Sequence, residues 1–242
     1  MTIAPLFFRP SLEWELLPDD YPLPDDSVDN TTQPLLAEAL RESLDLADLL
    51  PPLGFVATNL GICTKVAGQF VVKAPDWVYV PQTAQRIDQR RSYTPEREGS
   101  LPLLVLEFLS ETEGGEYSLD PNYPYGKWYF YERLLQVPYY GIFEPQQGRL
   151  EVYQWEQGHY QRLLPNPQQH YWIEPLHLFL GVWSGERSQR SGYWLRWWDA
   201  QDNRLLWGVE RIALEQEKVQ QERQRADRLT EQLRALGIEP EA

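Results

Sequence analysis

The stretch LPLLVLEFLS, residues 101–110, is a nearly continuous apolar run with a single acid, Glu107, set inside it. An apolar run of this length reads as a strand covered on both faces, and so as the centre of a sheet with other layers on each side. The acid is then the anomaly. A carboxylate in such a place is costly unless it is paired or binds a cation.

The flanking segments supply those layers. Upstream, LLAEALRESLDLADLL (35–50) has Leu and Ala at helical spacing, with Thr31 or Thr32 as candidate N-cap and Pro51-Pro52 as the stop. FVATNLGIC (55–63) and QFVVKAPDWVYVP (69–81) read as two extended runs joined by a hairpin at TKVAG. Residues 82–100, polar and arginine-bearing, read as a loop. Downstream, GKWYFYERLLQ (126–136) predicts a helix and VPYYGIFEP (137–145) a strand. GRLEVYQWEQGHYQRLLP (148–165) predicts a hairpin turning near Glu156–His159. PLHLFLGVWSG and YWLRWWDAQDNRLLW add strands, the latter turning at Asp199–Asn203. This order predicts an α/β (α+β) core: a mixed central sheet flanked by helices, with a C-terminal helix.

Three regions follow from composition. Residues 1–34, rich in Pro and Asp, read as an irregular N-terminal arm, 35–207 as the folded domain, and 208–242 as a charged C-terminal helix. In that helix Ile212, Val219, Ala226 and Leu233 recur every seven residues, and Leu229 and Leu236 add a second seam whose earlier positions are broken by Glu215 and Glu222. Residues 208–236 are therefore a candidate coiled coil and a candidate homodimer contact.

The chain of 242 residues is 42% apolar, with ten Trp and fourteen Tyr, enough to bury a sizeable core. Its single cysteine, Cys63, excludes a disulfide within the chain and fits a cytoplasmic location; it reads as a small buried hydrophobe. The N-terminus lacks a signal-peptide pattern, and no apolar run approaches the ~20 residues of a membrane span. The net charge of −14 argues against a generic nucleic-acid coat and weakens DNA binding by this chain alone. It leaves room for an acidic site that recruits a divalent cation, which then faces a phosphate.

Three residues carry candidate chemistry. Asp76, after Pro75 inside QFVVKAPDWVYV, shares Glu107's burial problem, and Lys127 starts the helix after the loop. Two carboxylates on adjacent strands can converge on Mg²⁺ or Mn²⁺, with the Phe108 carbonyl as a further oxygen ligand. A lysine nearby would orient or deprotonate the attacking water, or balance phosphate charge. Each has an ordinary reading too: Asp76 as an exposed turn acid, Glu107 as the partner of an arginine such as Arg133, Lys127 as a solvated first-turn lysine. Glu38 and Glu42 on the first helix are either a further carboxylate source or an exposed face. Arg86, Arg90 and Arg91 form a basic cluster that reads as phosphate contacts or as a solvated loop. His159, His170 and His177 have no ligand spacing. The aromatic stripes (Trp128, Tyr129, Tyr131, Trp194, Trp197, Trp198) read as core in preference to base-stacking surfaces.

Pro75-Asp76, then the strand bearing Glu107, then a lysine, resembles the PD-(D/E)XK nuclease superfamily. More closely, residues 35–180 resemble the Uma-two family of restriction-endonuclease-like proteins: LLVLEFLS is similar to its buried strand, Lys127 with Tyr131 to its lysine-bearing helix, and VPYYGIFEP to the strand after it. The resemblance implies a restriction-endonuclease-like fold and a Mg²⁺-dependent endonuclease acting on DNA. It makes Asp76 and Glu107 the metal ligands and Lys127 the catalytic lysine. The chain departs from the superfamily's simple pattern: two residues after Glu107 stands Leu109, not lysine, and Lys127 takes that role from the helix. The competing expectation is a nuclease fold without turnover that assembles through its C-terminal helix.

Overall fold

The computed structural model describes residues 10–18, 20–21, 31–50, 52–85, 89–109 and 115–235. Arg86 and Leu236 lie outside these. The chain divides into two compact units, Met1–Leu205 and Leu206–Ala242.

At the centre of the first unit stands β7 (Leu104–Phe108), the strand read from LPLLVLEFLS, with every residue buried. It lies in a six-stranded mixed sheet in the order β10-β9-β8-β7-β5-β2. The partners are β2 (Phe55–Ala57), β5 (Trp77–Val80), β8 (Tyr139–Glu144), β9 (Arg149–Glu156) and β10 (His159–Arg162). β7 runs parallel to β8 and antiparallel to β5; β8–β9, β9–β10 and β2–β5 are antiparallel.

A crossover helix is needed to join the parallel pair. It is α2 (Lys127–Tyr129), continued as a π-helical turn over Phe130–Leu135 and ended by Gln136 at φ 58°. Phe130, Tyr131, Leu134 and Leu135 pack on one face of the sheet with Val78, Val80, Val105, Tyr140 and Ile142. The alternating residues point to the other face. There Trp77 meets Trp197 at a ring distance of 6.1 Å, and the Trp197 indole donates to the Leu40 carbonyl. Leu40 lies on α1 (Gln33–Leu46), whose Leu36, Ala37, Leu40 and Leu44 are buried. Trp197 lies on β13 (Arg190–Trp198), which forms a three-stranded antiparallel sheet with β12 (Leu178–Arg187) and β11 (Tyr171–Ile173). β7 is thus covered on both faces, as its composition requires.

Several sequence expectations are corrected. FVATNLGIC splits into β2 and β3 (Gly61–Val66), and QFVVKAPDWVYVP splits into β4 (Gln69–Lys73) and β5. β3 and β4 form the expected hairpin but belong to a separate sheet. The two breaks face one another: Asn59, at φ 49°, donates its N–H to the Pro75 carbonyl at 3.0 Å. Pro75 has no N–H to continue a ladder, so the run changes sheets there. The arm is not wholly irregular, since β1 (Leu12–Glu13) pairs with β3. The 82–100 loop contains β6 (Ser92–Tyr93), parallel to β3. Helix α1 stops at Leu46, before Pro51, and the Thr32 side chain does not cap it.

The second unit contains α3 (Gly208–Ala235), which buries no residue. Glu210 accepts the Trp207 N–H at its start, and Lys218 pairs with Glu215 at 2.8 Å along its solvated face. Among the described residues no helix is long and apolar enough to cross a membrane.

Candidate active site

The β5–β7 register pairs Trp77 with Leu106 and Val78 with Val105. One step further, at the end of the ladder, Asp76 falls opposite Glu107. Residues directly opposite in an antiparallel pair project to the same side of the sheet. Glu107 is fully buried and Asp76 half-buried. Asp76 Oδ2 accepts the Phe108 N–H at 2.5 Å, which fixes its carboxylate beside the strand.

Lys127 reaches this pair from the crossover helix. Its Nζ lies 3.1 Å from Glu107 Oε2 and 4.0 Å from Oε1 of Glu116. Glu116 belongs to the short turn Gly115–Tyr117 and is buried. From the other face of the sheet, Gln33 on α1 donates to the Phe108 carbonyl at 2.9 Å. The site therefore draws on α1, the start of β5, the end of β7, the 115–126 loop and the crossover helix.

Its electrostatics are set by burial against charge. Desolvation pushes the Glu107 carboxyl up to about 8; Lys127 opposes that shift, and Asp76 and Glu116 add to it. Burial also works against the Lys127 charge, but Glu107 and Asp76 outweigh it and hold the ammonium well above its ordinary value. Lys127 is therefore a firmly protonated cation in this arrangement. Tyr131, one turn along the helix, is fully buried; burial, then the charges of Glu107 and Asp76, push its phenol well up. Its hydroxyl interacts with the Glu107 carboxyl, while Glu116 Oε2 is a buried acceptor with no hydrogen-bond donor among the described residues.

The oxygen donors here are of the chemical kind that a divalent cation would take. An orphaned buried carboxylate oxygen is what such an ion would satisfy. Asp76 and Glu107 supply oxygens, and the Phe108 carbonyl retains a second lone pair beyond the one used by Gln33. Among the described residues no three His, Cys, Asp or Glu stand close enough to hold one ion together. Two carboxylates with water completing the shell is nonetheless the manner in which Mg²⁺ is commonly held.

Other expectations resolve differently. Glu42 pairs with Arg187 at 2.6 Å and Glu38 is exposed, so α1 offers Gln33 to the site in place of a carboxylate. Arg133 pairs with Glu132 and donates to the Gly158 carbonyl, away from Glu107. Arg90 pairs with Glu98 at 2.5 Å, and Arg91 donates to the Pro18 and Tyr21 carbonyls; both brace the fold. Cys63 is buried, and burial pushes its thiol up to about 11. His170 stacks on Trp198 and contacts Asp202. Glu116 escaped the sequence reading, because a glutamate in a turn-rich loop carries no signal that it will be buried.

Gly126, just before Lys127, has ordinary backbone angles, but a Cβ there would lie 2.1 Å from the Ser118 carbonyl oxygen. The substitution Gly126→Ala would push the loop off the helix that aims Lys127. It is expected to cost about 1–3 kcal/mol, measured by denaturant unfolding, with a fall in any Lys127-dependent activity.

No curated protein matches the chain. The family described as "Uma2: Putative restriction endonuclease" matches over residues 11–185, most of the first unit. The mixed sheet with its lysine-bearing crossover helix is consistent with a restriction-endonuclease-like fold and with the wider PD-(D/E)XK superfamily, and on that match the chain belongs to the Uma2 family.

Proposed function

We propose that the protein is a metal-dependent phosphodiesterase that hydrolyses DNA, with Asp76, Glu107 and Lys127 as its working residues. The observation that carries this reading is Glu107: fully buried, opposite Asp76 across paired strands, and within 3.1 Å of the Lys127 ammonium.

Asp76 and Glu107 would hold Mg²⁺ or Mn²⁺, with Phe108 offering its carbonyl. When bound, the ion polarises a phosphodiester and lowers the pKa of a coordinated water. Lys127 would balance charge developing on the phosphate and orient or help deprotonate the attacking water. The Phe108 N–H keeps the Asp76 carboxylate in place, and Gln33 fixes the Phe108 carbonyl. Burial of Glu107 excludes solvent from one side, which strengthens each electrostatic contact.

The test is plasmid DNA with Mg²⁺ or Mn²⁺, run beside Asp76→Ala and Glu107→Ala. Cleavage by the wild type that both substitutions remove supports the proposal. Equal cleavage by all three would trace to a contaminant and end it.

A second reading, assembly without turnover, is favoured by α3: its Ile212, Val219 and Leu229 are all exposed along a helix that buries nothing. A helix that buries nothing lacks the packing from which most helical stability in proteins comes, and pairing with a second copy would cover these side chains. Light scattering should then give more chains per particle for the full chain than for one ending at Gly208. The same count for both would remove the helix from assembly.

A further inference from the structure

Helix α3 buries no residue, and one stripe along it is apolar. Ile212, Val219 and Leu229 are 59, 51 and 51% exposed. On a heptad wheel Ile212, Val219, Ala226 and Leu233 take position a, and Glu215, Glu222 and Leu229 take position d, so all seven share one face of the helix. The apolar members of that face favour cover. Its two acids resist burial beside a like charge.

The charges along α3 fall into two halves. Over residues 208–222, Glu210, Glu215, Glu217 and Glu222 outnumber Arg211 and Lys218. Over residues 223–235, Arg223, Arg225, Arg228 and Arg234 outnumber Asp227 and Glu231. An acidic half is thus followed by a basic half. A second copy laid alongside in the same direction and register sets each half against its like. Glu215 and Glu222 then meet their own counterparts in the seam, and on the flank Lys218 faces Arg223 of the second copy, a repulsive pair at the positions that set orientation. A copy running the other way sets the acidic half on the basic half.

One antiparallel register suits the seam. Centred on Gln224, it lays Val219 on Leu229 of the second copy, Glu215 on Leu233 and Glu222 on Ala226. Ala226 is the smallest of the seam residues, which leaves Glu222 room to turn to the flank, where Arg225 of the second copy stands. The symmetry makes two such pairs, an alternating ring of two carboxylates and two guanidiniums. Within α3, Lys218 already pairs with Glu215, whereas Glu222, Arg223, Arg225 and Arg234 are in no ion pair among the described residues. We propose that α3 binds α3 of a second copy antiparallel about Gln224, with Val219 on Leu229 and Glu222 beside Arg225. The proposal rests on the reading of α3 as the assembly helix and adds its partner's direction and register.

The experiment is double electron–electron resonance on the full chain, spin-labelled at Ala213→Cys or at Ala235→Cys. Both positions are exposed, and Cys63, buried with its thiol pushed up to about 11, resists the label. Ala213 and Ala235 lie equally far from Gln224, so both variants should give the same distance, roughly 30–40 Å. Parallel helices would instead hold both label pairs within about 25 Å. Sedimentation of the unlabelled Arg225→Glu protein should show dimerisation weakened about three- to thirtyfold, and Glu222→Arg with Arg225→Glu should restore it, with circular dichroism as the control for helix content. Two short distances, or dimers that Arg225→Glu leaves unchanged, would overturn the antiparallel pairing while leaving assembly through α3 in place. Two long but unequal distances would overturn the register. A full chain that stays monomeric at every concentration would end both this proposal and the assembly reading.

Discussion

Glu107→Gln is expected to raise the melting temperature of the protein in divalent-free buffer, and to do so more at pH 8 than at pH 5. The folded-state carboxyl sits at about 8, above its ordinary value of 4.5, because burial penalises its charge. Below the unfolded value both states are protonated and Glu107 costs nothing. As pH rises from about 4.5 to about 8 the unfolded chain releases the proton and the folded chain retains it, so stability falls through that window and levels off above it. Glutamine removes the penalty and keeps the shape. Lys127 loses one carboxylate but retains Asp76 and Glu116 as neighbours, which trims the gain to roughly 1–3 kcal/mol at pH 8, or several degrees for a chain of this size. Added Mg²⁺ should then stabilise the wild type and not the variant. A variant less stable than the wild type at every pH would mean that Glu107 serves the sheet and not a cation.

Plasmid cleavage in Mg²⁺ should fall about a hundredfold or more in Asp76→Asn and in Lys127→Met, for different reasons. Asp76→Asn keeps an oxygen for the Phe108 N–H but removes the charge that would hold the ion, so raising the Mn²⁺ concentration should recover part of the rate. Lys127→Met keeps the stem and removes the ammonium 3.1 Å from Glu107. Its defect should persist at saturating metal, because the missing charge acts on phosphate and water. Rate against metal concentration, measured for both variants, separates the two roles. A Lys127→Met protein as fast as the wild type would leave that residue a structural counter-ion.

How far the sequence reveals this arrangement depends on what each residue's burial is owed to. Glu107 was legible because its own neighbours bury it: an acid within LPLLVLEFLS has no ordinary reason to be there. Asp76 was legible from Pro75 before it and the aromatic strand after it. The breaks that put β2 and β3, or β4 and β5, into different sheets were not, because periodicity continues across them while the backbone hydrogen bonds do not. Glu116 and Gln33 were hidden for a related reason. Their surroundings are assembled from segments far apart in the chain, Gln33 meeting a carbonyl 75 positions away. Lys127 stood out through the family resemblance, and its contact with Glu107 follows from the crossover that a parallel β7–β8 pair demands.

Glu116 and Tyr117 are consecutive residues on one short turn, the first facing Lys127 and the second stacked on Trp128. The turn that brings Glu116 toward Lys127 is thus the same turn that seats Tyr117 on Trp128, so a substitution that reshapes it should disturb both contacts together.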